Sequence, residues 1–192
     1  MSRYKLASTV IAALWLSGTL MCVGSTQPGS DDAKTIGEFE SRVTKYLDMR
    51  TKESGSAAHP SNSPDKLTAT QQNVAEKVQS KRPAAAQGDI FTPEIAAYLK
   101  HQISATLAGP EGHKIRASMR RAEPVTGLTL HVNEEYPQGV PLQSTPPTLL
   151  LNLPTLPKEL EYRIVGRNLV LLDTVPNLVV DFVPNAVPAD KD

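Results

Sequence analysis

The chain has 192 residues and a mass of 20.8 kDa, a size that suits one compact domain. Its 20 basic residues balance its 20 acidic residues, so it lacks the excess positive charge that holds a nucleic-acid backbone. Hydrophobic residues make up 40% of the sequence and charged residues 21%, which is typical of a folded protein and excludes wholesale disorder.

The first residues have the three-part pattern of a secretory signal peptide. Arg3 and Lys5 form a short basic start, residues 6–16 are uncharged and mostly apolar, and small residues follow. Cleavage after Gly24 or Ser25 would leave small side chains at the recognition positions. We therefore predict export, to the periplasm or out of the cell.

Two alternatives stay open for this segment. Its uncharged run reaches Gly29, long enough for an uncleaved membrane anchor, and Cys22 could carry a lipid. If the segment is removed, the mature chain has no transmembrane segment and no cysteine, so disulfides, thiolate metal sites and cysteine nucleophiles are excluded. Without Arg3 and Lys5 it has 18 basic and 20 acidic residues, a net charge of −2.

A change in composition near residue 124 divides the mature chain. Ten of the 16 prolines lie between Pro124 and Pro188, and the periodicity changes from helical to alternating at the same point. We predict an α+β fold in which N-terminal amphipathic helices, a helical hairpin plus one or two more, precede a small antiparallel β-meander. The predicted segments are a signal peptide (1–25), a flexible linker (26–34), a helical region (35–123), an antiparallel sheet region (124–184) and a flexible tail (185–192).

Apolar spacing and capping residues predict four helices. Residues 35–52 carry an apolar stripe with helical spacing, and Ser63-Pro64-Asp65 has the order of N-cap, first-turn proline and acid that begins a second helix. Arg82-Pro83 ends this second helix, which we expect to pack antiparallel against the first. Thr92-Pro93-Glu94 begins a third helix in the same way, and a shorter fourth covers His113 to Arg120.

Alternating and β-branched runs predict four or five strands. The predicted strands cover residues 128–132, 148–153, 160–165, 169–173 and 178–182. We expect Gly166-Arg167-Asn168 to form a three-residue hairpin loop. The predicted opposing pairs are Val165 with Leu169, Asp173 with Leu178, and Leu171 with Val180.

The strand that contains residues 169–172 is apolar on both sides, so it belongs at the centre of the meander. We expect the third helix to cover one face of the sheet. The other face needs cover from residues 128–132, from residues 147–153 or from a partner. An apolar face left open would be a docking surface for a protein, an envelope component or a second copy of the chain.

No sequence motif for catalysis or phosphate binding occurs in the chain. The nucleophile elbow, the phosphate-binding glycine loop and the His-Glu-x-x-His metal helix are all missing. The alternative is a dispersed site that gathers His101 and His113 with Asp89 or Glu94. The four histidines, which are not spaced as pairs and are expected to be exposed, are His59, His101, His113 and His131.

A basic run over residues 113–121 is flanked by Glu111 and Glu123, a pattern typical of a salt-bridged solvated face, with anion binding as the alternative. Glu134-Glu135 lacks the carboxylate density of a calcium loop. The cations of the basic run are Lys114, Arg116, Arg120 and Arg121.

Two acidic residues, Asp173 and Asp181, lie where strands end or turn. Carboxylates at turns usually accept backbone N–H groups, and the alternative is a catalytic carboxylate pair. We expect the neighbouring Tyr162 and Arg163 to be packing and rim residues. No residue is therefore assigned to catalysis, to a cofactor or to a metal.

The C-terminal segment 156–184 (LPKELEYRIVGRNLVLLDTVPNLVVDFVP) combines a proline-bordered leucine run, Tyr-Arg, a Val-Gly turn and two Asp-containing strands. It resembles the C-terminal segment of small exported bacterial proteins of unknown function, and residues 88–94 (GDIFTPE) are similar to part of the same group. A fainter resemblance is to the C-terminal segment of periplasmic nickel/cobalt-homeostasis accessory proteins. The resemblance implies an exported bacterial protein and transfers no catalytic residue.

These features together predict an exported, non-enzymatic binding or accessory protein of the cell envelope that needs no cofactor. Two alternatives are kept: a periplasmic metal-homeostasis accessory protein, and an exported hydrolase whose site residues are dispersed along the sequence.

Overall fold

The computed structural model describes residues 28–54, 64–121, 127–137, 139–140 and 145–189. It has an α+β fold with the helices N-terminal and an antiparallel sheet C-terminal, which confirms the predicted class. The helices are α1 (Pro28–Ser54), α2 (Pro64–Lys81), α3 (Pro93–Ala108), α4 (Gly112–Arg121) and the short α5 (Pro147–Leu150). The strands, in the order β1-β2-β3, are β1 (Leu160–Val165), β2 (Asn168–Asp173) and β3 (Leu178–Val183).

The four predicted helices are present, and the first is longer than expected. α1 begins at Pro28, so residues 28–34, predicted as a flexible linker, form its first turns. A proline at the first position and Asp31 in the first turn both suit a helix start. The predicted signal peptide lies outside the described residues. Within the described part of the chain, no helix is long and apolar enough to cross a membrane.

The predicted strands over 128–132 and 148–153 are wrong, and the sheet has three strands. Residues 128–132 lie over a face of the sheet, where Leu128 and Leu130 pack against its side chains instead of pairing at an edge. Asn133 then turns the backbone with a φ of 67°, and Glu135 forms an isolated antiparallel bridge with Leu178. Pro147 instead begins the short helix α5, since proline is preorganised for a first helical position.

The β1–β2 hairpin differs from its prediction by one residue. Val165 pairs with Asn168, so the loop is only Gly166-Arg167. Gly166 has a φ of 60°, the left-handed conformation that two-residue hairpin turns require at this position. Asn168 therefore belongs to β2, where the sequence suggested a loop residue.

The β2–β3 pairing starts as predicted, with Asp173 opposite Leu178, and then shifts at a β-bulge. Asp181, and not Val180, lies opposite Leu171. The extra residue in β3 lets the side chains of both Val180 and Asp181 reach the helical side of the sheet. The bulge thereby aims a carboxylate at the segment between α2 and α3.

Both faces of the sheet are covered by the chain itself. The helices pack on one face, and on the other Val165, Val170, Leu172 and Val179 form a cluster with Tyr136 from the 127–140 segment. Of the three alternatives for covering this second face, the first is therefore observed, because Leu128 and Leu130 pack there.

The start of the predicted flexible tail is also packed. Ala186 and Val187 are buried, and the backbone N–H of Val187 donates to the Arg167 carbonyl over 3.0 Å. The Arg167 Nε–H donates in return to the Val187 carbonyl over 2.9 Å. These contacts close the end of the chain over the β1–β2 turn.

Candidate functional site

A buried carboxylate connects α1 to the end of β2. The Asp173 side chain is fully buried, the Tyr46 hydroxyl donates to its Oδ2 over 2.8 Å, and Arg50 Nε lies 2.8 Å from the same oxygen. Tyr46 and Arg50 are four residues apart and so lie on one face of α1. Burial raises the pKa of Asp173, and the Arg50 charge and the Tyr46 hydrogen bond oppose that rise. Burial also raises the pKa of Tyr46.

A second buried carboxylate holds the segment that leads into α3. Asp181 accepts backbone N–H groups from Gly88, Ile90 and Phe91 over 2.8–3.1 Å, and from Phe182 over 2.7 Å. Burial raises the pKa of Asp181, and these N–H donors oppose the rise. The sequence-based expectation that both aspartates accept backbone N–H groups is confirmed, since Asp173 also accepts one from Val175.

An open cleft of about 420 Å³, named here the α1 cleft, lies between these two anchors. One wall comes from α1 and the other from the segment between α2 and α3. Its volume is in the range of small-molecule sites in proteins. The lining residues are Glu38, Ser41, Arg42, Lys45, Tyr46, Met49, Arg82, Asp89 and Ile90.

Arg82 is the most enclosed cation of the α1 cleft. Its side chain is only 13% exposed, and its guanidinium lies 5.3 Å from the centre of the Tyr46 ring, within cation–π distance. Its two terminal nitrogens are 3.5 Å from the Val180 carbonyl, and Nη2 is also 3.5 Å from Asp89 Oδ2. All these polar contacts are at the outer limit of hydrogen bonding, so the guanidinium is enclosed by the protein but only weakly hydrogen-bonded to it.

The remaining charges of the α1 cleft do not balance. Arg42 binds Glu38 over 2.8 Å and donates to the Asp89 carbonyl over 2.7 Å. Asp89 Oδ2 accepts the backbone N–H of Ala86 and faces Arg82. Lys45 has no carboxylate within ion-pair distance in the part of the chain that the structure describes. Among the described residues that line the α1 cleft, three cations thus face two carboxylates, a surplus of one positive charge.

The histidines singled out from the sequence do not form a site. His101, His113 and His131 are exposed and lie on α3, on α4 and before Asn133, while His59 is outside the described residues. Across the described ranges, no three His, Cys, Asp or Glu side chains come close enough to hold a metal ion. The suggested grouping of His101 and His113 with Asp89 or Glu94 therefore does not occur.

Several of the other residues noted in the sequence have local partners. Lys114 forms an ion pair with Glu111 over 2.8 Å, and both Arg116 and Arg120 have interaction partners, as expected of a salt-bridged face. Glu123 is outside the described residues. Tyr162 is buried and donates its hydroxyl to the Pro154 carbonyl over 3.1 Å. The remaining residues of this group are Arg121, Glu134 and Glu135, all exposed, and Arg163, which pairs with Glu161.

The residues that line the α1 cleft were not identified from the sequence as a site. In the sequence, Tyr46 is one member of an apolar stripe and Arg82 marks the end of α2. One signal was present: Arg50 follows Tyr46 by one helical turn on the buried side of α1, and a buried cation needs a buried anion. Which acid supplies that anion is not encoded locally.

Comparison of the chain with protein families, with characterised proteins and with solved structures found no match.

Proposed function

We propose that this chain is an exported binding protein that holds a small ligand in the α1 cleft. The observation that carries the proposal is a preformed cleft whose two walls are each fixed by a buried carboxylate, Asp173 on one side and Asp181 on the other. A ligand that enters such a site has a reduced ordering cost to offset, because the two walls of the cleft are already in place.

Export is supported by the basic start, apolar run and small residues of the first 25 positions. It is tested by expressing the full chain in a bacterium, isolating the periplasmic fraction and measuring the intact mass. Export predicts a chain that starts near Ser25 or Thr26. A cytoplasmic chain that keeps Met1 would contradict it, whereas a lipid on Cys22 would make the protein membrane-tethered.

The binding role is tested by blocking the α1 cleft. Ser41 lines the cleft and is exposed, so Ser41→Trp adds bulk to the cleft while it leaves Tyr46, Arg50 and Asp173 unchanged. Thr44→Trp makes a comparable change at an exposed position of the same helix that does not line the cleft. We expect compounds that raise the melting temperature of the wild type to do so in the Thr44 variant but not in the Ser41 variant.

The screen uses a mixed set of anionic, neutral and cationic metabolites on periplasmic protein. Stabilisation at a ligand concentration of 100 Kd would amount to about 2.7 kcal/mol, which shifts the melting temperature measurably. Two results would contradict a ligand-binding cleft: no compound raises the melting temperature of the wild type, or the compounds raise that of Ser41→Trp as well. No observation in the described residues favours the metal-homeostasis or hydrolase alternatives.

A further inference from the structure

We propose that the ligand of the α1 cleft is a small organic monocarboxylate, held at its carboxylate by Arg82 and Lys45 and at its apolar part by Tyr46, Met49 and Ile90. This inference rests on the proposed binding function and names the class of ligand.

The charge of the ligand follows from the unbalanced cations. The charges of Arg42 and Glu38 are neutralised by their ion pair, and Asp89 is matched by Arg82 at 3.5 Å. The charge of Lys45 remains unbalanced, so a ligand with one negative charge would neutralise the α1 cleft. A dianion such as phosphate would instead give the cleft a net negative charge. A cationic ligand would increase the surplus.

The geometry of Arg82 suits a carboxylate. Its guanidinium lies over the Tyr46 ring, yet every oxygen that it contacts is 3.5 Å away. A carboxylate oxygen at about 2.8 Å would form a charge-assisted hydrogen bond that the protein itself does not supply there. The planar guanidinium also matches a carboxylate better than Lys45 alone would.

The organic part of the ligand follows from the rest of the lining. Met49 and Ile90 are apolar, and Tyr46 presents its ring while its hydroxyl is occupied by Asp173. These side chains offer an inorganic anion no polar contact, but they would cover an aliphatic or aromatic group. An ion without an apolar part would therefore use only half of the α1 cleft.

Isothermal titration calorimetry with 4-phenylbutyrate tests the assignment. Four compounds are titrated: 4-phenylbutyrate, its neutral amide, 4-phenylbutylamine and inorganic phosphate. We expect the carboxylate to bind at least about tenfold more tightly than each of the others, since each lacks either the charge or the apolar part. Lys45→Met should weaken carboxylate binding several-fold, and Lys45→Arg should restore it.

The matched control is Lys34→Met, which removes an exposed lysine of α1 that does not line the α1 cleft and should leave binding unchanged. Lys45 is exposed, so its variants are expected to fold. Arg82→Met removes the other cation proposed to hold the carboxylate, and it is tested after circular dichroism has shown that it folds like the wild type. Equal binding of the amide or the amine, preference for phosphate, or insensitivity to Lys45→Met would each overturn the assignment. If a neutral or cationic compound stabilises the wild type but not Ser41→Trp, the α1 cleft does bind ligands, and only the assignment of a monocarboxylate is wrong.

Discussion

The hydroxyl groups of Tyr46 and Tyr162 are both buried, but we expect them to contribute differently to the stability of the fold. Both side chains are almost fully buried and both hydroxyls donate one hydrogen bond. Tyr46 donates to the Asp173 carboxylate over 2.8 Å, whereas Tyr162 donates to the Pro154 carbonyl over 3.1 Å. A buried carboxylate that loses a donor keeps an unsolvated charge, which costs more than a neutral carbonyl that loses one.

Replacing each of these tyrosines by phenylalanine tests that difference. We expect Tyr46→Phe to lower the free energy of unfolding by about 1.5–3 kcal/mol, and Tyr162→Phe by about 0.5–1.5 kcal/mol. Urea unfolding followed by circular dichroism measures both values on the same preparation. An equal or smaller loss for Tyr46→Phe would contradict the expectation that the hydrogen bond to the Asp173 carboxylate is worth more than the one to the Pro154 carbonyl.

At the scale of elements, the junction of α3 and α4 depends on a close backbone approach. α3 ends at Ala108, and the chain turns back through Gly109 so that α4 can begin at Gly112. A Cβ placed on Gly112 would overlap the carbonyl group of Leu107, which is backbone and cannot move aside. By contrast, a Cβ on Gly37 in the middle of α1 would meet no atom within 4 Å.

The same substitution at these two glycines should therefore have opposite effects. Gly37→Ala should raise the free energy of unfolding by about 0.5–1 kcal/mol, because alanine loses less conformational freedom in a helix. Gly112→Ala should lower it by about 1–3 kcal/mol, because the overlap forces the two helices apart. Thermal and urea unfolding check both changes, and a tolerated Gly112→Ala would show that the junction is looser than described.

At the scale of the whole molecule, two buried aspartates join the helical layer to the sheet. Asp173 contacts α1, and Asp181 contacts the segment before α3. Burial raises the pKa of each carboxyl group above its ordinary value, so the folded state binds a proton more readily than the unfolded chain does. Their contribution to stability is therefore greatest at acidic pH and decreases as the pH rises through the raised pKa.

A comparison of the wild type with Asp173→Asn isolates this dependence. The relevant pH window lies between the raised pKa of Asp173 in the folded state and its value of about 3.9 in the unfolded chain. As the pH is lowered through this window, the free energy of unfolding of the wild type should rise relative to that of the variant. Below the window the difference should stay constant. Urea unfolding at a series of pH values measures the difference. Glu111→Gln serves as a control with the opposite pH dependence. The hydrogen bond and the charge of Lys114 lower the pKa of Glu111, so the contribution of Glu111 to stability is lost as the pH falls. A difference that does not change with pH would contradict a raised pKa of Asp173.

Much of the element order could be predicted because its signals are local. The proline and acid that follow Ser63 and Thr92, the apolar stripe of α1 and the composition change near residue 124 each lie within a few residues of what they specify. The hairpin and the Asp173–Leu178 pair were predictable for the same reason, apart from a one-residue error at Gly166. By contrast, residues 128–132 alternate like a strand but lie on a sheet face. No local signal indicates this, because the sheet residues that they cover are more than 30 residues further along the chain.

The sequence by itself determined the α+β class, the helix starts and the balance of charge, since these depend on spacing and composition. Only the tertiary structure decided that a bulge at Val180 aims Asp181 at the segment before α3, and that Asp173 supplies the anion for Arg50. It alone placed Arg42, Lys45 and Arg82 around one cleft, because α1 and the end of α2 become neighbours only when their apolar faces are buried together. A site built from separate elements has no local signature, which is why the α1 cleft emerged from the fold and not from the sequence.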